Sequence, residues 1–313
     1  LLEWISGLKQ INMPHNPSIL DETLERIRAL YRTNKLEAGI FLKAGLKQGW
    51  NVVIGTNGQC GMAMSFSGWE GIFGKQPLDV EKLRSFAGKD FFSVAETYLQ
   101  AGSWRERSIG VASMVALSQP LITPESLMAR SFEVAAGNAD FASCLNPDDV
   151  VAVVGYGGGI KRLLGKCREL HVTDMRPREY FQTTLITDQS IEFVPKEVIV
   201  HPETDNKEAL GRATAVAITG SAFVNGTFDE LIGYVRRARL VTVYGGSVGF
   251  IPDVLFEHGV HMVHSSRISD PSAFERGMIN DLNMEAVMQS TQTHQTILSP
   301  KGACCDAADR KES

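Results

Sequence analysis

The run Gly155-Tyr156-Gly157-Gly158-Gly159 follows Val150–Val154, a continuous β-branched apolar stretch of the kind a strand buried on both faces shows. Glycines there let the chain turn tightly and bring backbone close to a ligand. Ile160, Leu163, Leu164 and Cys167 then fall at helical spacing. A helix is therefore expected to start at the glycines and to offer its free N–H groups to an anion. Asp174 lies 19 residues after Gly155, at the end of a second short strand, Leu170–Thr173. An acid at that point of a strand–helix–strand unit can accept hydrogen bonds from ribose hydroxyls.

The third glycine falls one residue earlier than in the dinucleotide fingerprint G-x-G-x-x-G. The shorter spacing is closer to the loop of S-adenosylmethionine-dependent methyltransferases. The turn is expected to hold that cofactor or another nucleotide-like ligand, or else to be a plain strand-to-helix turn. Two more loops follow apolar strands: Thr219-Gly220-Ser221 with Asn225 after Ala213–Ile218, and Gly245-Gly246-Ser247 after Leu240–Val243. Ligands of open α/β sheets sit outside the carboxyl ends of the strands. The candidate binding residues of one shared crevice are therefore Gly155, Gly157, Gly159 and Asp174, joined by Thr219, Ser221, Asn225, Gly245 and Ser247. Thr227, with Glu230 three residues on, reads better as a helix cap.

These loops hold almost no strong acid, base or nucleophile. The N-terminal half supplies the candidate catalytic pair: Cys60, beside the hairpin signal Asn57-Gly58, and Glu106, in the charged run Trp104-Arg105-Glu106-Arg107-Ser108 ahead of a helix. Each has a plainer reading, a small buried apolar residue for Cys60 and a solvated face for the charge run. His258, His261 and His264, with Glu257, suggest a metal. However, Gly259 ends the helix among them, and His261 and His264 would point to opposite faces of the next strand. The histidines are read as unrelated. A divalent metal stays open as a cofactor, with no ligand set assigned.

The elements that must position these groups change character along the chain. Ser18–Thr33 carries an apolar helical face, and Glu37–Leu46, Trp50–Ile54 and Gln59–Phe66 read as an antiparallel meander. Helical segments follow at Asp79–Ala87, Phe91–Ala101 and Arg107–Ser118, and a fourth opens at Thr123-Pro124 and runs toward Gly137. From Asn146-Pro147 onward strands alternate with helices, which predicts a parallel sheet. The two extended runs within 181–201 are expected to pair as a hairpin insertion or to cross to an edge. The expected division is an α+β unit over 1–145, an α/β unit over 146–290 and a disordered tail over 291–313. A fragment starting at Pro147 is expected to fold alone.

A net charge of −5 with no basic stripe argues against a nucleic-acid partner. No apolar run is long enough to span a membrane, and no leader is visible. Five cysteines without a CxxC pair point to reduced thiols and a cytoplasmic setting. The expected partner is a small molecule, and a homodimer is compatible with the sequence.

The segments Ala215–Thr227 (AVAITGSAFVNGT) and Val241–Val260 (VTVYGGSVGFIPDVLFEHGV), with VVGYGGGIKRL and the later HVTD, resemble a heavy-metal-chelation family of Rossmann-like proteins of unknown function. The hairpin VVIGTNGQCGMAMSF and the helix RSIGVASMVALSQ resemble that family's companion, an enolase-N-terminal-like domain. The resemblance covers most of residues 15–280. It implies an α/β protein: an N-terminal α+β enolase-N-terminal-like domain, a C-terminal Rossmann-like doubly wound parallel sheet, and a site in the cleft between them. It further implies a link to heavy-metal chelation. The activities that fit are condensation, hydrolysis or group transfer on an anionic or heterocyclic metabolite; non-catalytic binding of a metal or metal chelate; and S-adenosylmethionine-dependent methyl transfer.

Overall fold

A computed structural model describes residues 17–135, 140–280 and 283–300. The first helix, Ile19–Thr33, opens on a reciprocal cap: the Ser18 side chain accepts from Asp21 N, and the Asp21 carboxylate accepts from Ser18 N at 3.1 Å. Its buried face is Leu20, Leu24, Ile27 and Tyr31, the spacing of a helix packed on one side. Strands β1 (Phe41–Lys47), β2 (Trp50–Gly55) and β3 (Cys60–Met64) form an antiparallel meander. Asn57 and Gly58, at φ 60° and 69°, make the turn between β2 and β3. Helix Trp104–Ser118 lies flat against this sheet; a Cβ on Gly61 would come within 2.0 Å of the Ala112 carbonyl. Residues 108–118 of that helix are all buried, so it has no polar face.

The larger sheet takes β4 (Glu133–Val134), β5 (Val150–Val154) and β6 (Glu169–Asp174). A separate hairpin follows, β7 (Thr183–Ile186) with β8 (Ile191–Val194). The chain then adds β9 (Val198–Pro202), β10 (Ala215–Thr219), β11 (Leu240–Tyr244), β12 (Met262–Ile268) and β13 (Gln292–Leu298). The spatial order is β4-β13-β12-β11-β10-β5-β6-β9. From β12 to β9 all neighbours are parallel, while β13 and β4 are antiparallel additions. The protein is thus α/β, with a small antiparallel sheet and its helices beside a large, mostly parallel mixed sheet. Among the described residues no helix is long and apolar enough to cross a membrane.

Alternation sorts the parallel strands onto two faces. Ala152, Val216, Ile218, Val241, Val243 and Val263 join one core with Ile109, Val111, Met114 and Val115 of helix Trp104–Ser118. Val151, Val153, Leu170, Val172, Ala215 and Ala217 form a second core with Phe141 and Leu163. The outer face of the small sheet (Val52, Ile54, Cys60 and Met62) packs with Phe274 and Val287, from helices Pro271–Asn280 and Met284–Thr291. The two halves of the chain are interleaved. The larger sheet takes β4 from before the expected boundary at 146, and the small sheet is covered by helices from the C-terminal end.

Several expectations need correction. Residues 292–298 are not tail: they form β13, which pairs with β12 over its whole length and buries Ile297 and Leu298. Residues 301–313, with Cys304 and Cys305, lie outside the described residues. The helix opened by Thr123 ends at Ala129, ahead of Ser131 at φ 63°. Of the two alternatives for the extended runs within 181–201, the pairing of the runs with each other does not occur, because the first pairs with β8; the crossing to an edge does, because the second is β9, the edge strand beside β6. Thr227 stands at the N-cap of helix Phe228–Tyr234 as expected, but its side chain makes no capping bond; its hydroxyl donates to Asn225 Oδ1 at 2.8 Å. Cys144 is disulfide-bonded, whereas Cys60 and Cys167 are free thiols.

Candidate functional site

A cavity of about 500 Å³ opens at the carboxyl ends of β5, β6, β10 and β11, roofed by the small sheet. Its centre lies where β5 and β10 are neighbours although four strands separate them in sequence. At such a reversal, connections leave the sheet in opposite directions and open a crevice. All but one of the nine candidate binding residues line it: Gly155, Gly157, Asp174, Thr219, Ser221, Asn225, Gly245 and Ser247. Gly159 instead lines a smaller hollow of about 130 Å³ that also takes in Phe141, Leu163 and His264.

The glycine turn differs from the expected one. After β5 the chain makes one short 3₁₀ stretch, Gly158–Arg162, and no α-helix. Gly165, at φ +73°, breaks the helical spacing of Ile160, Leu163 and Cys167. The anion-binding helix N-terminus is therefore absent at this turn. Only Gly155 has a backbone that requires glycine, at φ +85° with Thr219 Cγ2 2.8 Å from the place of a Cβ. The Tyr244 hydroxyl holds the turn from below, donating to the Gly155 carbonyl at 2.6 Å and approaching that of Val154 at 3.1 Å. Burial pushes its pKa up, so the hydroxyl keeps its proton.

Asp174 stands at the end of β6 as expected, but its oxygens are already engaged. Oδ2 accepts from Tyr156 N at 2.7 Å and Arg176 Nη2 at 2.8 Å. Oδ1 accepts from Arg176 N at 2.8 Å and Arg176 Nε at 2.9 Å. Arg176 Nη2 also donates to the Tyr156 carbonyl at 2.9 Å, and the guanidinium lies 4.6 Å over the Phe181 ring. Phe181 in turn stacks on Tyr156, with centroids 4.5 Å apart. A ribose diol would have to displace this fork to reach Asp174.

On the β10 side, Thr219 Oγ1 and Ser221 Oγ lie 3.0 Å apart, and Asn225 Oδ1 accepts from Thr227 N and Oγ1. Ser247 is buried, and its Oγ accepts from Met64 N of β3 at 2.9 Å, so this loop is tied to the roof. Trp50, Phe66, Trp69 and Phe73 supply the roof. Edge-to-face contacts of Phe66 and Trp69 with Phe73, at 5.1 and 5.9 Å, brace it. The walls are Glu203, Asn206 and Lys207 after β9, and Glu230 and Tyr234 of helix Phe228–Tyr234. The Tyr234 hydroxyl donates to Glu230. None of the roof aromatics or wall charges was singled out from the sequence for a site; Glu230 was read only as part of a helix cap. The only local cue was a cluster of aromatics, Trp69-Glu70-Gly71-Ile72-Phe73, in a glycine-rich stretch.

The proposed catalytic pair does not line the cavity. Cys60 is 1% exposed in the core beneath β2 and β3, and burial pushes its thiol up to about 12. Its strand position explains this, because Cys60 and Met62 share a face with Val52 and Ile54. Glu106, in the first turn of helix Trp104–Ser118, accepts from Asp79 N at 3.2 Å. The three histidines separate. His258 bonds Glu22 at 2.8 Å, His261 Nδ1 accepts from Val241 N at 3.1 Å, and His264 bonds Thr296 at 2.8 Å.

The family model DUF364, described as "Putative heavy-metal chelation", matches residues 138–295, just over half of the chain. The chain belongs to this family. Two solved structures of DUF364 proteins of unknown function are similar to it. One, from Desulfitobacterium hafniense, is 18% identical, with a TM-score of 0.62 over 88% of this chain and 99% of that one. The other, from Pyrococcus horikoshii, is 16% identical, with a TM-score of 0.65 over 90% of this chain and 100% of that one. At these identities the likeness speaks to the fold alone. No curated protein matches the chain.

The DUF364 description raises a metal, and the cavity's donors can be tested against one. Among the described residues lining it there is no cysteine or histidine, and its sulfurs are the thioethers of Met64 and Met175. Asp174 is neutralised by Arg176. Soft metals favour thiolate and imidazole ligands, so this donor set does not fit a bare heavy-metal ion. S-adenosylmethionine fits poorly too, because the acid that would read its ribose is engaged. The cavity does suit an organic molecule with a flat, apolar ring: its volume lies in the range of small-molecule sites, and Trp50, Phe66, Trp69, Phe73 and Tyr156 are among its lining residues.

Proposed function

We propose that this chain binds a small planar heterocyclic metabolite in the cleft between its two halves, and that condensation, hydrolysis or group transfer takes place there. The observation that carries this reading is the cavity itself, with an aromatic roof from one half closing over a glycine turn of the other. Counted along the chain, the six parallel strands run 3-2-1-4-5-6 across the sheet. That order supports a Rossmann-like, doubly wound reading, in which the first and fourth strands flank the ligand crevice. A meander followed by buried helices supports the enolase-N-terminal-like reading of the first half. The link to heavy-metal chelation then runs through an organic ligand. The groups available for proton transfer are Glu230 with Tyr234, and Glu203, in place of Cys60 and Glu106.

The test is a thermal-shift panel of flavins, pterins, nucleotides, S-adenosylmethionine and divalent metals on wild type and Trp69→Ala. A planar compound should raise the wild-type midpoint, since saturation at about 100 times the dissociation constant adds roughly 2.7 kcal/mol. Trp69→Ala should lose most of that gain. A bare metal that stabilises both proteins, with no ring compound active, would overturn the proposal.

A further inference from the structure

Where a dinucleotide fold presents a free acid at the end of its second strand, this chain presents an arginine. Arg176 uses Nε and Nη2 on Asp174 and Tyr156, while Nη1 has no hydrogen-bond partner among the described residues. Its side chain is 24% exposed, and the Phe181–Tyr156 stack beneath it fixes the plane of the fork. Lys207 lines the same cavity and is in no ion pair among the described residues. Their strands are neighbours in the sheet: Asp174 of β6 is in register with Pro202 of β9, and Arg176 and Lys207 lie two and five residues beyond those positions. Thr173, 1% exposed, adds a buried Oγ1 with no partner on the cavity wall. Two opposing charges line the same cavity: Glu203, which is exposed, and Glu230, on the helix packed against that of Lys207, which accepts from the Tyr234 hydroxyl.

Resting on the reading above, we infer that the ligand carries an oxyanion, phosphate or carboxylate, seated on Arg176 Nη1 and Lys207, with its ring under Trp69 and Phe73. A guanidinium held flat and already oriented loses little on binding an oxyanion. Arginine is also the side chain that accommodates a phosphate at this point of a dinucleotide sheet. Asp174 is then a positioning residue that aims the fork, not a ribose reader.

The experiment compares matched pairs by calorimetry: FMN with riboflavin, NADP⁺ with NAD⁺, and pterin-6-carboxylate with pterin. The phosphate and carboxylate pairs distinguish the two oxyanions. In wild type the member with the extra oxyanion should bind at least tenfold tighter in one or more pairs. Arg176→Gln should reduce that preference to within about twofold, with the larger loss falling on the member that carries the extra oxyanion. Because Arg176→Gln strands a buried carboxylate, Lys207→Ala serves as a fold-neutral second variant, with the same direction and a smaller loss. If ring compounds bind wild type with no such preference, or the preference survives both variants, this inference fails while the cavity reading stands. If no member of any pair binds, both fall.

Discussion

Gly155→Ala separates a glycine that the backbone requires from glycines that merely accompany it. At φ +85° an L-residue sits in the left-handed region, which costs roughly 1–2 kcal/mol. The added Cβ would stand 2.8 Å from Thr219 Cγ2, closer than real contacts allow, and relief must come from Thr219 or the turn. Overpacking of this kind costs about 1–3 kcal/mol. The expected total is about 2–5 kcal/mol, or roughly 4–20 °C in midpoint at about 2–4 °C per kcal/mol. Gly157→Ala is the control: its φ is −114° and the nearest atom to a new Cβ is the Tyr244 ring at 3.8 Å. It should lie within about 0.5 kcal/mol of wild type. Thr219→Ser in the Gly155→Ala background removes the offending methyl and should restore about 1 kcal/mol, leaving the backbone share unrelieved. Urea unfolding of the four proteins reads all of this. Equal losses at Gly155 and Gly157, or no loss at Gly155, would refute the assignment.

Tyr244→Phe keeps the ring but leaves the Gly155 and Val154 carbonyls without their donor, and should cost about 1–2 kcal/mol in urea unfolding; an unchanged midpoint would mean that water serves equally well. Burial lowers the pKa of His261 and His264, so the unfolded chain binds protons more readily in acid. Their stabilisation is therefore intact above the ordinary histidine value of about 6.5 and lost as pH falls through their lower folded values. His264→Gln should flatten the decline in urea midpoint between about pH 7 and pH 5, and an unaltered slope would count against burial as the cause. A fragment starting at Pro147 lacks helix Trp104–Ser118 and uncovers Val216, Ile218, Val243 and Phe250. It should elute as an aggregate and lack near-ultraviolet dichroism, contrary to the sequence-based expectation; a cooperative monomer would show that the face can be covered without that helix.

Local composition carried much of the fold and less of the site. Val150–Val154, with four valines among five apolar residues, needed no tertiary information, nor did the Ser18 cap or the Thr123-Pro124 start. β13 was invisible because Gln292, Thr293, His294 and Gln295 have no apolar alternation; its pairing with β12 supplies the order. The helix after the glycine turn was misjudged because apolar spacing was weighed above Gly158, Gly159 and Gly165, which make a sustained helix costly. Asp174 was placed correctly at its strand end, but its availability depended on a side chain two residues away folding back on it. Trp50, Phe66 and Trp69 could not be assigned to a roof, because nothing local says which sheet they will face.

The missing helix and the engaged acid are two sides of one change. A dinucleotide site puts positive potential at the centre of the sheet, through the helix N-terminus behind the glycine turn, and a free carboxylate at the end of the second strand. Here the helix is a single 3₁₀ stretch, so the central source of positive potential is gone. The carboxylate is neutralised by Arg176, and the unpaired donors lie at the β6–β9 end of the cavity. A pyrophosphate laid across the glycine turn would have little to hold it. On the proposed reading, a ligand with one anionic pole and one flat pole has a single favourable direction, its charge toward Arg176 and Lys207 and its ring under the aromatic roof. That direction brings the middle of the ligand past Gly155, where the required glycine keeps the floor low, with Glu230 and Tyr234 beside it on the helix packed against that of Lys207.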